Sequence, residues 1–103
     1  MILVNIDYIP GKEFDVIGVV KGSTIRSTNM FKDISAGLKS IVGGEVVNYT
    51  QMMSESRQIA TKRMVDEAES LGADAVINIR YATSSIMQGA SEMMVYGTAV
   101  KIR

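Results

Sequence analysis

Cysteine, histidine and tryptophan are absent from this chain of 103 residues, and proline occurs once. Without cysteine there are no disulfides, no thiolate nucleophiles and no thiolate metal ligands. Without histidine the commonest general base and the commonest metal ligand are both missing. No apolar stretch approaches the roughly 20 residues that a membrane-spanning helix needs. The start, Met1-Ile2-Leu3-Val4-Asn5-Ile6-Asp7, lacks a basic lead, and Asn5 and Asp7 break its apolar run, so it does not read as a signal peptide. An excess of one charge is lacking too: Lys and Arg number 11 and Asp and Glu 11. Phosphate backbones call for a basic patch or stripe, so nucleic acid is not expected as a partner, and neither is a membrane. Lys62-Arg63 is the only adjacent basic pair, and with Asp66, Glu67 and Glu69 behind it the segment reads as a solvated helix face of paired charges. These absences leave one small cytoplasmic domain spanning residues 1–103. A lone domain of this length buries only roughly 60–65% of its unfolded surface, so further stabilisation is expected, and disulfides cannot supply it.

What is present is chiefly one long helix. Tyr49, Met53, Ser56, Ala60, Met64, Ala68 and Leu71 recur at three- and four-residue steps, which is one helical face. Asn48 is placed to cap the first turn, with Gln51 in the capping-box position, and Gly72 follows Leu71 where a left-handed residue closes a helix.

Before it, Ile2, Val4, Ile6 and Tyr8 alternate with Leu3, Asn5 and Asp7 in strand rhythm, and Pro10-Gly11 supplies a turn. A second strand is predicted from about Phe14 to Lys21. Its centre, Val16-Ile17-Gly18-Val19-Val20, is apolar on both sides, so both faces of its sheet call for cover. A polar stretch from Ser23 to Asn29 leads to a short helix ending near Val42, capped by Asn29, with Met30, Ile34, Leu38 and Ile41 on one face and Asp33 in the first turn. Gly43-Gly44 ends it. After the long helix, Ala73 to Tyr81 predicts a strand with Ala75, Ile77, Ile79 and Tyr81 on one face and Asn78 and Arg80 on the other. Ser84 to Ser91 reads as a loose hairpin loop, and Glu92 to Ile102 as the last strand.

This order, β-β-α-α-β-β, predicts an α+β domain: an antiparallel sheet of about four strands with a short and a long helix packed on one face. A right-handed crossover lets the last strand lie between the strand before the helices and the strand after them. The second face then has no cover from its own chain, and an aliphatic patch of that size predicts a homo-oligomer that buries it.

Gly18-Val19-Val20-Lys21-Gly22, Asn29-Met30-Phe31-Lys32-Asp33, Ile41-Val42-Gly43-Gly44-Glu45, Tyr49-Thr50, Leu71-Gly72-Ala73-Asp74-Ala75-Val76 and Gly97-Thr98-Ala99-Val100 resemble, in order and spacing, the YbjQ-like family of small uncharacterised proteins. The resemblance covers nearly the whole chain from about Gly11. It implies a dodecin-like subunit, a ring-shaped homopentamer and a heavy-metal-binding role, with a metal ion as the implied ligand. Many members resemble one another in an acidic pattern on the strand after Gly-Ala-Asp-Ala, where this chain has Asn78, Arg80 and Ala82.

Little in the residues points to a reaction. Oxygen and thioether donors are the metal ligands left. Met87, Met93 and Met94 flank the last hairpin and Met52-Met53 start the long helix, but methionine more often fills core gaps. Asp66 and Glu69 read as surface charges. Gly43-Gly44 lacks the register, lysine and hydroxyl of a phosphate loop, and Glu45 has the wrong sign. Nucleophilic catalysis would need a Ser–Lys pair, and Ser40 beside Lys39 is poorly aimed on a helix. A non-enzyme is expected. The polar cluster Arg26, Ser27, Thr28, Asn29 and Asp33, joined by Arg80 or Tyr81 from a neighbouring subunit, is the candidate small-ligand site at a subunit boundary.

Overall fold

The computed structural model describes residues 1–27, 45–88 and 90–103. They form β1 (Ile2–Leu3), β2 (Phe14–Ser27), a helix α1 (Glu45–Ser70), β3 (Ala75–Met87) and β4 (Ala90–Ile102). The expected short helix and its Gly43-Gly44 stop lie outside these residues. The sheet runs β1-β3-β4-β2. β4 pairs antiparallel with β2 and β3, but β1 pairs parallel with β3, Ile2 against Ala75 and Leu3 against Val76. The sheet is therefore mixed and not antiparallel throughout. The N-terminal segment does not fold back as a hairpin on β2. It crosses to the far edge, where Val4 N–H donates to the Val76 carbonyl and Ile79 N–H to the Val4 carbonyl.

Local chemistry sets the boundaries. Lys12 N–H donates to the Ile9 carbonyl at 3.0 Å around Pro10-Gly11, with Gly11 at φ 73°, the positive value that the third position of a type II turn requires. Gly72, at φ 81°, closes α1: its N–H reaches the Glu69 carbonyl and Ala73 N–H reaches the Ala68 carbonyl, both at 3.0 Å. That is the Schellman arrangement, and Ala73 packs on the cluster containing Ala68. The helix start differs from expectation, since α1 begins at Glu45 and Asn48 lies inside it. Leu71, expected on the buried face, is 51% exposed because the chain has already left the helix.

The strands run longer than the sequence suggested. β2 continues through Ser27, and β3 and β4 continue to Met87 and from Ala90, so the expected loose loop is mostly paired strand. The Cα radius of gyration is 16.9 Å, against about 13 Å for a compact domain of this size. The domain is elongated, 54 × 25 × 18 Å, as strands of 13 and 14 residues and a helix of 26 require.

Two bulges decide which side chains face α1. In β3 the register shifts between Ile77 and Arg80, with Asn78 at φ 54°, so Asn78 and Ile79 together oppose Gly97. Before the bulge Val76 faces the helix and Ala75 and Ile77 face away; after it Ile79 faces the helix. The expected single row of Ala75, Ile77, Ile79 and Tyr81 is thus split between faces. A second shift, between Val16 and Gly18, does the same to β2 and turns Val20 inward.

On the helix side Val20, Met64, Val76, Val95, Ala60 and Ala68 are fully buried. Each larger aliphatic side chain among them contributes about 1.5–3 kcal/mol by burial. The other face is covered at one end by its own chain, contrary to expectation: Ile9, Val4 and Phe14 pack on Ala75, Ile77, Val100 and Ile102. Beyond that end Val16 is 66% exposed, Val19 73%, Ile25 60% and Tyr96 39%.

Candidate functional site

Within one chain Arg26, Arg80 and Tyr81, described members of the expected cluster, stand apart, as residues expected from neighbouring subunits can. Arg26 lies on the helix side of β2, where its Nε donates to Ser56 Oγ at 2.8 Å. Ser56 is fully buried; its Oγ donates to the Met52 carbonyl at 2.9 Å, and Thr24 Oγ1 donates to the Ser56 carbonyl at 3.1 Å. Arg26 is therefore part of a polar strap between β2 and α1. Ser27 ends β2, and Thr28, Asn29 and Asp33 lie outside the described residues.

Arg80 and Tyr81 are neighbours on opposite faces of β3. Arg80 Nη1 donates to the carbonyls of Asn5, at 2.8 Å, and Ile79, at 2.9 Å, pinning the N-terminal segment to the strand. Tyr81 turns to the helix side, its hydroxyl 2.9 Å from Thr61 Oγ1. Thr61 has one proton and gives it to the Arg57 carbonyl at 2.7 Å, so Tyr81 is the donor to Thr61. Arg26 and Tyr81 share the helix side but not a site. Through β4, Tyr81 stands level with Gly22, four residues along β2 from Arg26, or about 13 Å at strand rise.

What surrounds Tyr81 is a groove of about 530 Å³ between α1 and β3, lined by Ser54, Arg57, Gln58, Thr61 and Lys62 from the helix. Positions 54, 57, 58, 61 and 62 form one flank of α1, beside the face buried on the sheet. A second groove of about 520 Å³, lined by Leu3, Val4, Asn5, Ile6, Ile79 and Tyr81, lies between the N-terminal segment and β3. Lys62 Nζ is 2.9 Å from Asp66 one turn away, and this hydrogen bond and charge raise its pKa. Sequence reasoning took the Lys62-Arg63 stretch as a solvated face and missed the groove. The helical spacing of these polar residues was legible, but the strand that walls them was not.

Residues 1–103 match the family described as "Putative heavy-metal-binding". The chain belongs to the YbjQ-like family. A UPF0145 protein of Clostridium novyi is 69% identical over 102 residues, covering 99% of each chain. One from Alkaliphilus metalliredigens is 62% identical over 98% of each, and one from Thermus thermophilus is 52% identical over 95% of this chain and 87% of its own. A crystal structure of a protein of unknown function from Pediococcus pentosaceus superposes with TM-score 0.71 at 17% identity, over 100% of this chain and 98% of that one, a likeness of fold.

The donor set of this YbjQ-like chain bears on the family description. Thiolate and imidazole are absent from the sequence, and no group of three or more acidic residues able to hold a metal occurs among the described residues. The thioethers are scattered as well: Met52, Met64 and Met93 are buried, and Met87 is 67% exposed at the hairpin end. These residues of one subunit do not fit a heavy-metal ion. No described helix is long and apolar enough to cross a membrane.

Proposed function

We propose that this chain is a non-catalytic, homo-oligomeric binding protein of the cytoplasm, with five copies closing a ring as the family resemblance implies, and a small ligand held in the assembly. The observation that carries the reading is the uncovered sheet face. Val16, Val19, Ile25 and Tyr96 stand exposed on long strands, and among the described residues no element of the same chain removes them from water. A second copy supplies that cover at no cost in new sequence. Native mass spectrometry of protein purified without a metal-binding tag tests it. A pentamer carrying extra mass per subunit is the expected result, and a monomer overturns the reading. Val19→Asp, which places a charge at the centre of the patch, is expected to leave the fold intact and dissociate the assembly.

A second reading, a scaffold ring that presents a surface to another protein, is favoured by one observation. Arg26 and Arg80 are each engaged in bonds that hold elements together, so these two of the expected ligand residues serve the fold. A pentamer free of bound mass would support the scaffold.

A further inference from the structure

We propose that the groove between α1 and β3 binds a small oxyanion, a phosphate ester or a carboxylate, and that an anion rather than a metal cation is the ligand of this chain. This rests on the binding reading above but not on the number of subunits.

The lining residues give the sign. Arg57 and Lys62 bring two cations, Gln58 and Ser54 bring neutral donors, and no carboxylate is among the described residues that line the groove. A metal cation would meet like charge there, while an oxyanion would meet the planar guanidinium fork suited to two-oxygen recognition. Arg57 is available for this: no described residue forms an ion pair or side-chain hydrogen bond with its guanidinium. Lys62 is held by Asp66, but both are well exposed, at 76% and 56% of their side chains, and such surface pairs exchange readily for a better partner.

The geometry of the wall is fixed. The chain of bonds from Tyr81 O–H to Thr61, and from Thr61 to the Arg57 carbonyl, consumes both protons and ties the phenol to the same helix turn that carries the cation. Tyr81 thereby stands as one side of the groove that Arg57 also lines. At about 530 Å³ the space falls within the ordinary range for small-molecule sites, roughly 300–1,000 Å³.

The neighbouring charges do not compete for the site. Arg63 leaves the groove to donate to the Ser23 carbonyl, and Glu67 leaves it to accept from Lys21 N–H, both toward β2. Two carboxylates stay on the β3 flank, Asp66 and Glu69; both act on Lys62 and neither is among the described residues lining the groove, so Arg57 is the cation left to a ligand.

Isothermal titration of the full-length protein with pyrophosphate, with citrate and, in parallel, with Zn2+ tests the proposal. One anion is expected to saturate at one per subunit, pyrophosphate for a phosphate ester or citrate for a carboxylate, and to weaken as salt rises. Arg57→Gln is expected to weaken that binding by about tenfold or more, and Lys62→Gln by less, with the native mass of the assembly unchanged. Arg103→Gln, remote and paired with Asp15, should bind as the parent does. Absence of saturable binding by either anion at millimolar concentration, or binding unaffected by Arg57→Gln, overturns the proposal, as does stoichiometric Zn2+ uptake in place of an anion. Because assembly is read separately by mass, an intact oligomer of the parent protein that binds neither anion refutes the groove without refuting the ring.

Discussion

The Glu67 carboxylate accepts a hydrogen bond from the Lys21 backbone N–H at 3.2 Å. Lys21 lies on β2, an edge strand whose outward backbone groups would otherwise be open to another strand. Four residues earlier on the helix, Arg63 Nη1 donates to the Ser23 carbonyl at 2.6 Å, so α1 caps one donor and one acceptor of the same edge. Glu67→Ala is expected to cost about 0.5–1 kcal/mol, the worth of one partly solvated hydrogen bond. Hydrogen exchange is the sharper readout. The Lys21 amide should exchange faster in the variant, and unchanged protection would show that the cap contributes nothing.

Asn78 holds the bulge that turns Ile79 toward the helix, at φ 54°. Asparagine tolerates the left-handed region and β-branched residues do not. Asn78→Val is expected to destabilise by about 1–2 kcal/mol, whereas Asn78→Gly should stay within about 0.5 kcal/mol. Chemical denaturation of the pair distinguishes this from a side-chain role, in which both variants would lose equally.

Gly22 sits beneath α1. A Cβ there would collide with the Ala60 carbonyl oxygen and meet the Met64 nitrogen at 2.5 Å, backbone atoms of a helix that cannot move aside cheaply. Gly22→Ala is expected to cost about 3 kcal/mol or more, seen as a large fall in Tm or in soluble yield. A melting temperature equal to the parent's would show that α1 lies further from the sheet.

Asp74 ties the start of β3 to the end of β4: its carboxylate accepts from Ile102 N–H at 2.9 Å and lies 3.4 Å from Lys101 Nζ. The backbone bond to Ile102, and after it Lys101, hold its pKa below the ordinary value of 3.8. A carboxylate depressed in the folded state stabilises fully above its unfolded pKa. That contribution should be lost as pH falls from 3.8 through the lower folded value. Stability measured against pH should therefore fall less steeply in this acid range for Asp74→Asn than for the parent. Identical slopes would remove Asp74 from the acid response.

Much of the fold was legible because it depends on neighbours in sequence. The apolar steps from Met53 to Ala68, the Gly72 stop and the Pro10-Gly11 turn are each decided within a few residues, and each stands where the pattern put it. Strand ends were less legible. The Ser-rich stretches at Ser23 and Ser84 carry loop composition, yet cross-strand pairing with β4 holds both extended.

The groove beside Tyr81 was not legible for a related reason. The spacing of Arg57, Gln58, Thr61 and Lys62 placed them on one helix flank, but nothing in the sequence told which strand that flank faces. Tyr81 joined them only because the bulge at Asn78 reversed the alternation of β3, sending Arg80 to Asn5 and Tyr81 to Thr61. A one-residue insertion in a pleat swaps every later side chain to the other face, and period-two reading has no means of detecting it.

The sequence by itself determined the chemistry that this chain can carry: no thiolate, no imidazole, no excess of one charge, and one long helix with a defined stop. Tertiary structure alone decided the parallel pairing of β1, the two bulges and the groove beside Tyr81. Pairing partners and register depend on contacts between residues far apart in the chain, and local pattern carries no record of them.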